Sequence, residues 1–367
     1  MKKSLLFLGA LLMLLGAATS ISAQSFEWDV HFQTRFDNRE HARTNLGTSR
    51  TIFGSVLSPT IGVSWGEGSK FMAGVELFAE FGNAEWLHTP TPIAYYNYKD
   101  EHFGAYAGIF HRSALKGTYA NTIFSSSYTF YNQLIRGTLL QYQGKYGRIE
   151  LGLDWTGLFN KATTTRECFR VFSAGRFEIP YFYAGYSAQM FHLANSGTGA
   201  KGVVDNIMII PYVGVNFAQD LPLDKFYVQL GWQQSIQRDR TVSKEFQTPF
   251  GGELEVRLEK WGVGVLNIFY YGKNLLPFYG TYGSTLYTCE PYYRAPHNIL
   301  NHAELYYTAV KRDGITLKFQ LKFKSDGKRM GFEQVANLNI HLNNKQFGQN
   351  ITFGRKREAV KSATLDK

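Results

Sequence analysis

The chain is poor in the residues that staple or break folds. It has two cysteines and ten prolines in 367 residues, and after residue 23 no apolar run long enough for a transmembrane helix. Cys168 and Cys289 are too few for a disulfide framework; pairing in an oxidising compartment stays open, although the strand map below places them far apart. With no Ser/Pro linker and no composition break over 24–342, the expectation is one domain. The phosphate-loop, CxxC and HExxH patterns are also missing, so neither a nucleotide nor a metal cofactor is expected.

Charge of one sign is scarcer than the formal net of +10 suggests. Lys2 and Lys3 fall in a leader, and Lys345–Lys367 carries six basic residues against Glu358 and Asp366. Removing +2 and +4 from +10 leaves about +4 over the middle of the chain, too little to argue for nucleic acid.

Residues 1–23 run from Lys2-Lys3 through an apolar stretch, Leu5 to Ala18, to Ile21-Ser22-Ala23. This is the pattern of a secretory signal peptide cleaved after Ala23, with no cysteine there for a lipid anchor. An exported chain follows, rich in glycine and 16% aromatic.

In the first stretch after it, 26–36, Phe26, Trp28, Val30, Phe32 and Phe36 alternate with Glu27, Asp29, His31, Gln33 and Arg35. Alternation with period two puts one face in apolar surroundings and the other in water. The run is long enough to cross a bilayer when tilted. Arg148–Gly157 and Ile315–Lys324 repeat the pattern. Alternating runs also fall at 51–65, 70–81, 93–98, 103–111, 134–143, 167–177, 180–193, 203–217, 226–237, 250–259, 261–271, 302–311 and 332–342. Short connections such as Gly66–Ser69 alternate with long ones such as 112–133 and 272–301.

That is the rhythm of an outer-membrane barrel with short periplasmic turns and long outer loops. The expectation is an all-β, transmembrane antiparallel β-barrel of about sixteen strands over 24–342. Fourteen and eighteen strands remain open, because 343–367 reads either as a basic tail or as a last strand (345–353) plus tail. The first strand should close against 332–342. Run without stagger, that pairing sets Glu27 opposite His341 and Arg35 opposite Glu333.

The third outer loop, Arg112–Gln133, holds Arg112, Lys116, Tyr119 and the aromatic run Phe124–Tyr131 with Tyr128. In loop order and strand number the chain resembles general-diffusion porins. That resemblance implies a third loop folded into the barrel, and a homotrimer. The alternative is a loop packed on itself outside. The Ala-Gln leader end, the Tyr/Phe-rich strands and the series over 130–155 are also similar in style to uncharacterised outer-membrane barrels of Bacteroides-type bacteria. A second loop, Lys273–Asn301, is so aromatic that it is expected to cap the mouth or touch a ligand.

By parity the lumen wall includes Glu27, Asp29, His31, Arg35, Arg148, Glu150, Asp154, Lys318 and Lys322, and such charges imply water. Arg112, Lys116, Tyr119, Tyr128 and Arg136 are the expected constriction, with a mild preference for anions. Asp29 and His31 are the one pair to weigh as catalytic. Same-face neighbours on a strand lie about 6.5–7 Å apart, whereas a base and its carboxylate need about 3 Å, so a direct dyad is not expected.

The chain therefore reads as an outer-membrane channel for small hydrophilic solutes and not as an enzyme. The alternative is a barrel that binds surface glycan through aromatic outer loops, and a third reading is an outer-membrane hydrolase. Outer-membrane lipid surrounds it in every case.

Overall fold

The computed structural model describes residues 24–41, 44, 47–160, 165–194, 202–344 and 352–353. The leader and its cleavage point after Ala23, and the basic tail from Gly354, lie outside the described residues.

The alternating runs all form strands. In chain order they are β1 Gln24–Glu40, β2 Arg50–Trp65, β3 Ser69–Glu80, β4 Thr91–Lys99, β5 Phe103–His111 and β6 Leu134–Gln143. There follow β7 Gly147–Gly157, β8 Cys168–Glu178, β9 Phe182–Leu193, β10 Val204–Asn216 and β11 Lys225–Asp239. The last are β12 Phe250–Lys260, β13 Val263–Gly272, β14 Ile299–Arg312, β15 Ile315–Ser325 and β16 Met330–Asn343. Each pairs antiparallel with its neighbours in sequence, and β1 pairs with β16, which closes the sheet. A closed sheet leaves no backbone edge unsatisfied in lipid.

Thr352–Phe353 pairs with Gln24–Ser25. It continues the line of β16 along β1 and adds no further stave, so sixteen strands form the wall. The closing register differs from the unstaggered expectation by four residues. Arg35 faces Asn337, His31 faces His341, and Glu333 faces Arg39. Barrel closure needs a fixed shear, and alternation along one strand carries no information about it.

The short end is turned tightly. Trp261-Gly262 and Asp313-Gly314 both take positive φ, as two-residue hairpin loops require. The outward face is greasy: Leu151, Val213 and Leu230 are 50%, 58% and 59% exposed. Phe103, Tyr142, Tyr146, Phe177 and Trp261 ring the short-turn end, and Phe81, Trp86 and Trp155 are exposed toward the other. No helix among the described residues is long and apolar enough to cross a membrane; the strands do so. An even-stranded closed barrel with an apolar belt and aromatic girdles is an outer-membrane protein.

Candidate functional site

The lumen is where the chain concentrates its polar chemistry, and two outer loops fold into it. The third loop leaves β5 through a short turn, Arg112–Ala114. Lys116 N–H and Tyr119 hydroxyl donate to the two oxygens of Glu150 on β7, at 2.9 and 2.8 Å. Ala120 N–H reaches Ser187 on β9 at 3.3 Å, and the Thr122 hydroxyl donates to Gln233 on β11 at 2.7 Å. The loop returns through helix α1, Ser126–Tyr131, capped by the Ser125 hydroxyl. Gln133 then donates to Gln33 on β1 at 2.6 Å. A single loop therefore touches wall from β1 round to β11. Its Ile123 and Phe124 pack with Phe110, Ile135, Leu139, Phe172 and Ile210 in an apolar core inside the barrel.

Burial and the Glu150 carboxylate raise the Tyr119 hydroxyl pKa far above its ordinary value, so it stays a hydrogen-bond donor. Burial lowers the Lys116 ammonium pKa, and Glu150 opposes that shift.

The second loop, 273–298, does not cap the mouth from outside. Its aromatics turn inward, and Tyr287, Tyr292 and Tyr293 are buried with Leu275, Leu276 and Leu286 in the largest apolar cluster. Tyr293 donates to Glu253 at 2.7 Å, and the Tyr287 hydroxyl to Gln237. Lys324 on β15 sits between Glu333 on β16 (2.6 Å) and Glu290 of the loop (3.7 Å), all three buried. Folding inward also brings Cys289 into the cluster against which Cys168 packs; both thiols are free. The strand map separated them because it left the loop outside.

The two loops meet in the lumen. Ser125 N–H donates to the Thr288 carbonyl at 3.1 Å, and the Thr288 hydroxyl donates back to Ile123. Outside this contact lies a cavity of about 650 Å³ lined by Arg39, Arg50, Tyr131, Tyr287 and Arg294. Inside it are two smaller ones. A cavity of about 310 Å³ is bordered by Glu255, Arg257, Glu304 and Lys318. The other, about 220 Å³, is lined by Asp29, His31, His111, Ser113 and His341.

The wall charges are largely paired. Arg112 is buried and donates to Asp154 at 2.9 Å, and its guanidinium lies 4.8 Å over Phe124 and 5.3 Å over Tyr128. Tyr128 accepts from Arg170 at 2.9 Å. Arg136 gives its backbone N–H to the same Asp154, but its exposed side chain shares the outward face of β6 with Leu140 and Tyr142, while Ile135 and Leu139 face the lumen, so it does not join the expected constriction. Lys318 pairs with Glu304 at 2.8 Å, Lys322 with Glu333 at 4.0 Å, and Arg35 with Asp37 at 2.7 Å. Glu27 accepts from Ser64 at 2.9 Å. Arg148 lies opposite Arg176 across β7 and β8.

Contrary to the spacing argument, Asp29 and His31 do meet, at 2.9 Å. The 6.5–7 Å estimate describes backbone positions, and two side chains leaning together close that gap. His341 reaches the other oxygen of Asp29 at 2.8 Å. His31 is stacked between His341 and His111, with centroids 3.9 and 4.0 Å away.

His111 and Ser113 were not singled out from the sequence. Ser113 Oγ is 2.7 Å from His111 Nδ1, and His111 Nε2 is 2.9 Å from Gln133 Oε1. This is a hydroxyl, an imidazole and an orienting acceptor in line. Gly108, at φ +121°, interrupts the regular backbone of β5, and β5 leaves β4 after Ile109. Strand parity therefore stops being a guide just before His111.

No curated protein matches the chain. Among solved structures it is similar to the outer membrane protein OprD from Pseudomonas aeruginosa, at 11% identity and a TM-score of 0.49 over 89% of this chain and 96% of that one. It is also similar to Pseudomonas aeruginosa OpdK with vanillate (8%, 0.49, 87% and 98%) and to Acinetobacter baumannii OccAB1 (10%, 0.49, 87% and 96%). A family model described as lipid A 3'-O-deacylase-type matches residues 19–350. The chain, a sixteen-stranded outer-membrane barrel, belongs to this lipid A 3'-O-deacylase-type family.

Proposed function

We propose that the protein is an outer-membrane channel for small hydrophilic solutes, constricted by its two inward loops. The supporting observation is the contact of Ser125 and Ile123 with Thr288 inside a charged lumen that keeps cavities on both sides of it. Buried charges and cavities lined by them call for water along the lumen. Arg112, Lys116, Tyr119 and Tyr128 form or flank the narrow zone. Because Asp154 compensates Arg112, the preference for anions falls to Lys116. Reconstitution in planar bilayers under a salt gradient tests this: the reading needs ohmic steps with a modest anionic reversal potential, and a silent barrel overturns it.

The glycan-binding alternative is weakened by burial of Tyr287, Tyr292 and Tyr293, whose faces pack against the core. A second reading, hydrolysis of a lipid A acyl ester, draws on the family match and on the Ser113–His111–Gln133 geometry. Two features count against it. The serine faces a cavity inside the barrel, away from lipid. The neutral Gln133 also brings no negative charge to stabilise an imidazolium. Acyl loss from lipid A in proteoliposomes, abolished by Ser113→Ala and by His111→Ala, would establish it in place of the channel.

A further inference from the structure

We propose that Asp29, His31 and His341 form a binding site for a divalent transition cation of the zinc class, placed at the seam where the first and last strands close the barrel. One ligand atom from each residue can be chosen so that all three lie within 4.8 Å of one another. The Asp29 carboxylate already bridges the two imidazoles, its Oδ1 at 2.9 Å from His31 Nε2 and its Oδ2 at 2.8 Å from His341 Nε2. Two imidazole nitrogens and one carboxylate oxygen are donors that suit zinc, copper or nickel better than calcium or magnesium.

Three protein ligands leave a fourth position, and the space for it is present. The cavity of about 220 Å³ is lined by all three residues and also by Ser113, Asn343 and Asn344. Such a site is accessible and exchangeable, unlike a closed structural one. The register supplies the third ligand, since His31 and His341 are direct partners across β1 and β16. The cation would therefore tie together two strands 310 residues apart in sequence, where the chain has no covalent closure. The two imidazoles stand nearly parallel, 16° apart. Converging on one ion requires them to tilt toward each other, and the half-buried side chains face open cavity into which they can move.

The purified barrel, stripped with a chelator and titrated with Zn²⁺ by calorimetry, tests the site. The expected result is about one ion per chain, with affinity reduced at least about tenfold in His341→Gln and in His31→Gln. Glutamine can still hydrogen-bond to Asp29 but is a poor zinc ligand, so the seam and the fold survive the change. Heat-modifiable migration on gels verifies that each variant is folded. His111→Ala removes a ring that stacks on His31 but is not one of the three ligands, and it should leave the stoichiometry unchanged. Zinc should also raise the thermal transition of the unmodified barrel and not that of His341→Gln. Absence of binding in the unmodified protein, or equal binding in His341→Gln, overturns the assignment. Neither readout depends on conductance.

Discussion

The hydroxyl of Thr122, at the tip of the third outer loop, donates at 2.7 Å to Gln233, five strands further round the wall and 111 residues later in sequence. With Gln133 held by Gln33 on β1, the loop is strung across the lumen from both sides. The consequences of that arrangement can be measured.

The first concerns the buried pair at the root of the loop. Arg112→Ala leaves the Asp154 carboxylate buried without its partner, which should cost about 3–5 kcal/mol. The heat-modifiability midpoint should fall accordingly. Arg112→Ala combined with Asp154→Asn should recover much of the loss, because no uncompensated charge remains.

The seat of the loop is tested at Gly117. A side chain there would put its Cβ 2.6 Å from both the Ala174 methyl and a Glu150 oxygen. Gly117→Val should lift the loop from β7 and β8 and raise single-channel conductance, with the barrel intact on gels. Unchanged conductance would mean that the loop does not narrow the path.

Lys324 is the latch of the second loop, between Glu290 and Glu333. Burial raises the Cys289 thiol pKa far above its ordinary value, so at neutral pH it is protonated as well as enclosed. A charged maleimide should label Cys289 slowly in the native protein and much faster in Lys324→Met, as read by mass spectrometry. Equal rates would place the hold on the loop elsewhere.

The seam register is open to cross-linking. Phe36→Cys with Ala336→Cys should form a disulfide, since those positions are partners. Phe36→Cys with Phe332→Cys, the pairing that an unstaggered closure demands, should not. Both are made after replacing Cys168 and Cys289.

Sixteen strands were legible in the sequence because a lipid-facing wall enforces alternation along each one, as in Ile149, Leu151 and Leu153 against Arg148, Glu150 and Asp154. The inward course of the third loop was one of two alternatives, and the resemblance to porins rather than any residue of the loop suggested it. Stagger was not legible, because it depends on how the whole sheet closes; this hid the pairing of His31 with His341. The Asp29–His31 contact lies beyond what backbone spacing can show, because side-chain reach decides it. His111 stayed hidden because its strand turns irregular at Gly108, and Ser113 because it sits in the turn just beyond, where strand parity no longer applies. The aromatic second loop gave a correct signal, that its rings need cover. What covers them is the interior of the barrel.

Whether the two inward loops narrow a conducting lumen is decided by single-channel conductance of the intact barrel against one in which residues 115–131 are replaced by a short Gly/Ser linker. The intact barrel should give small ohmic steps, and the barrel without the crossing loop steps several-fold larger. Barrels of unchanged heat-modifiability that stay silent in both forms, or conduct equally, would contradict that narrowing.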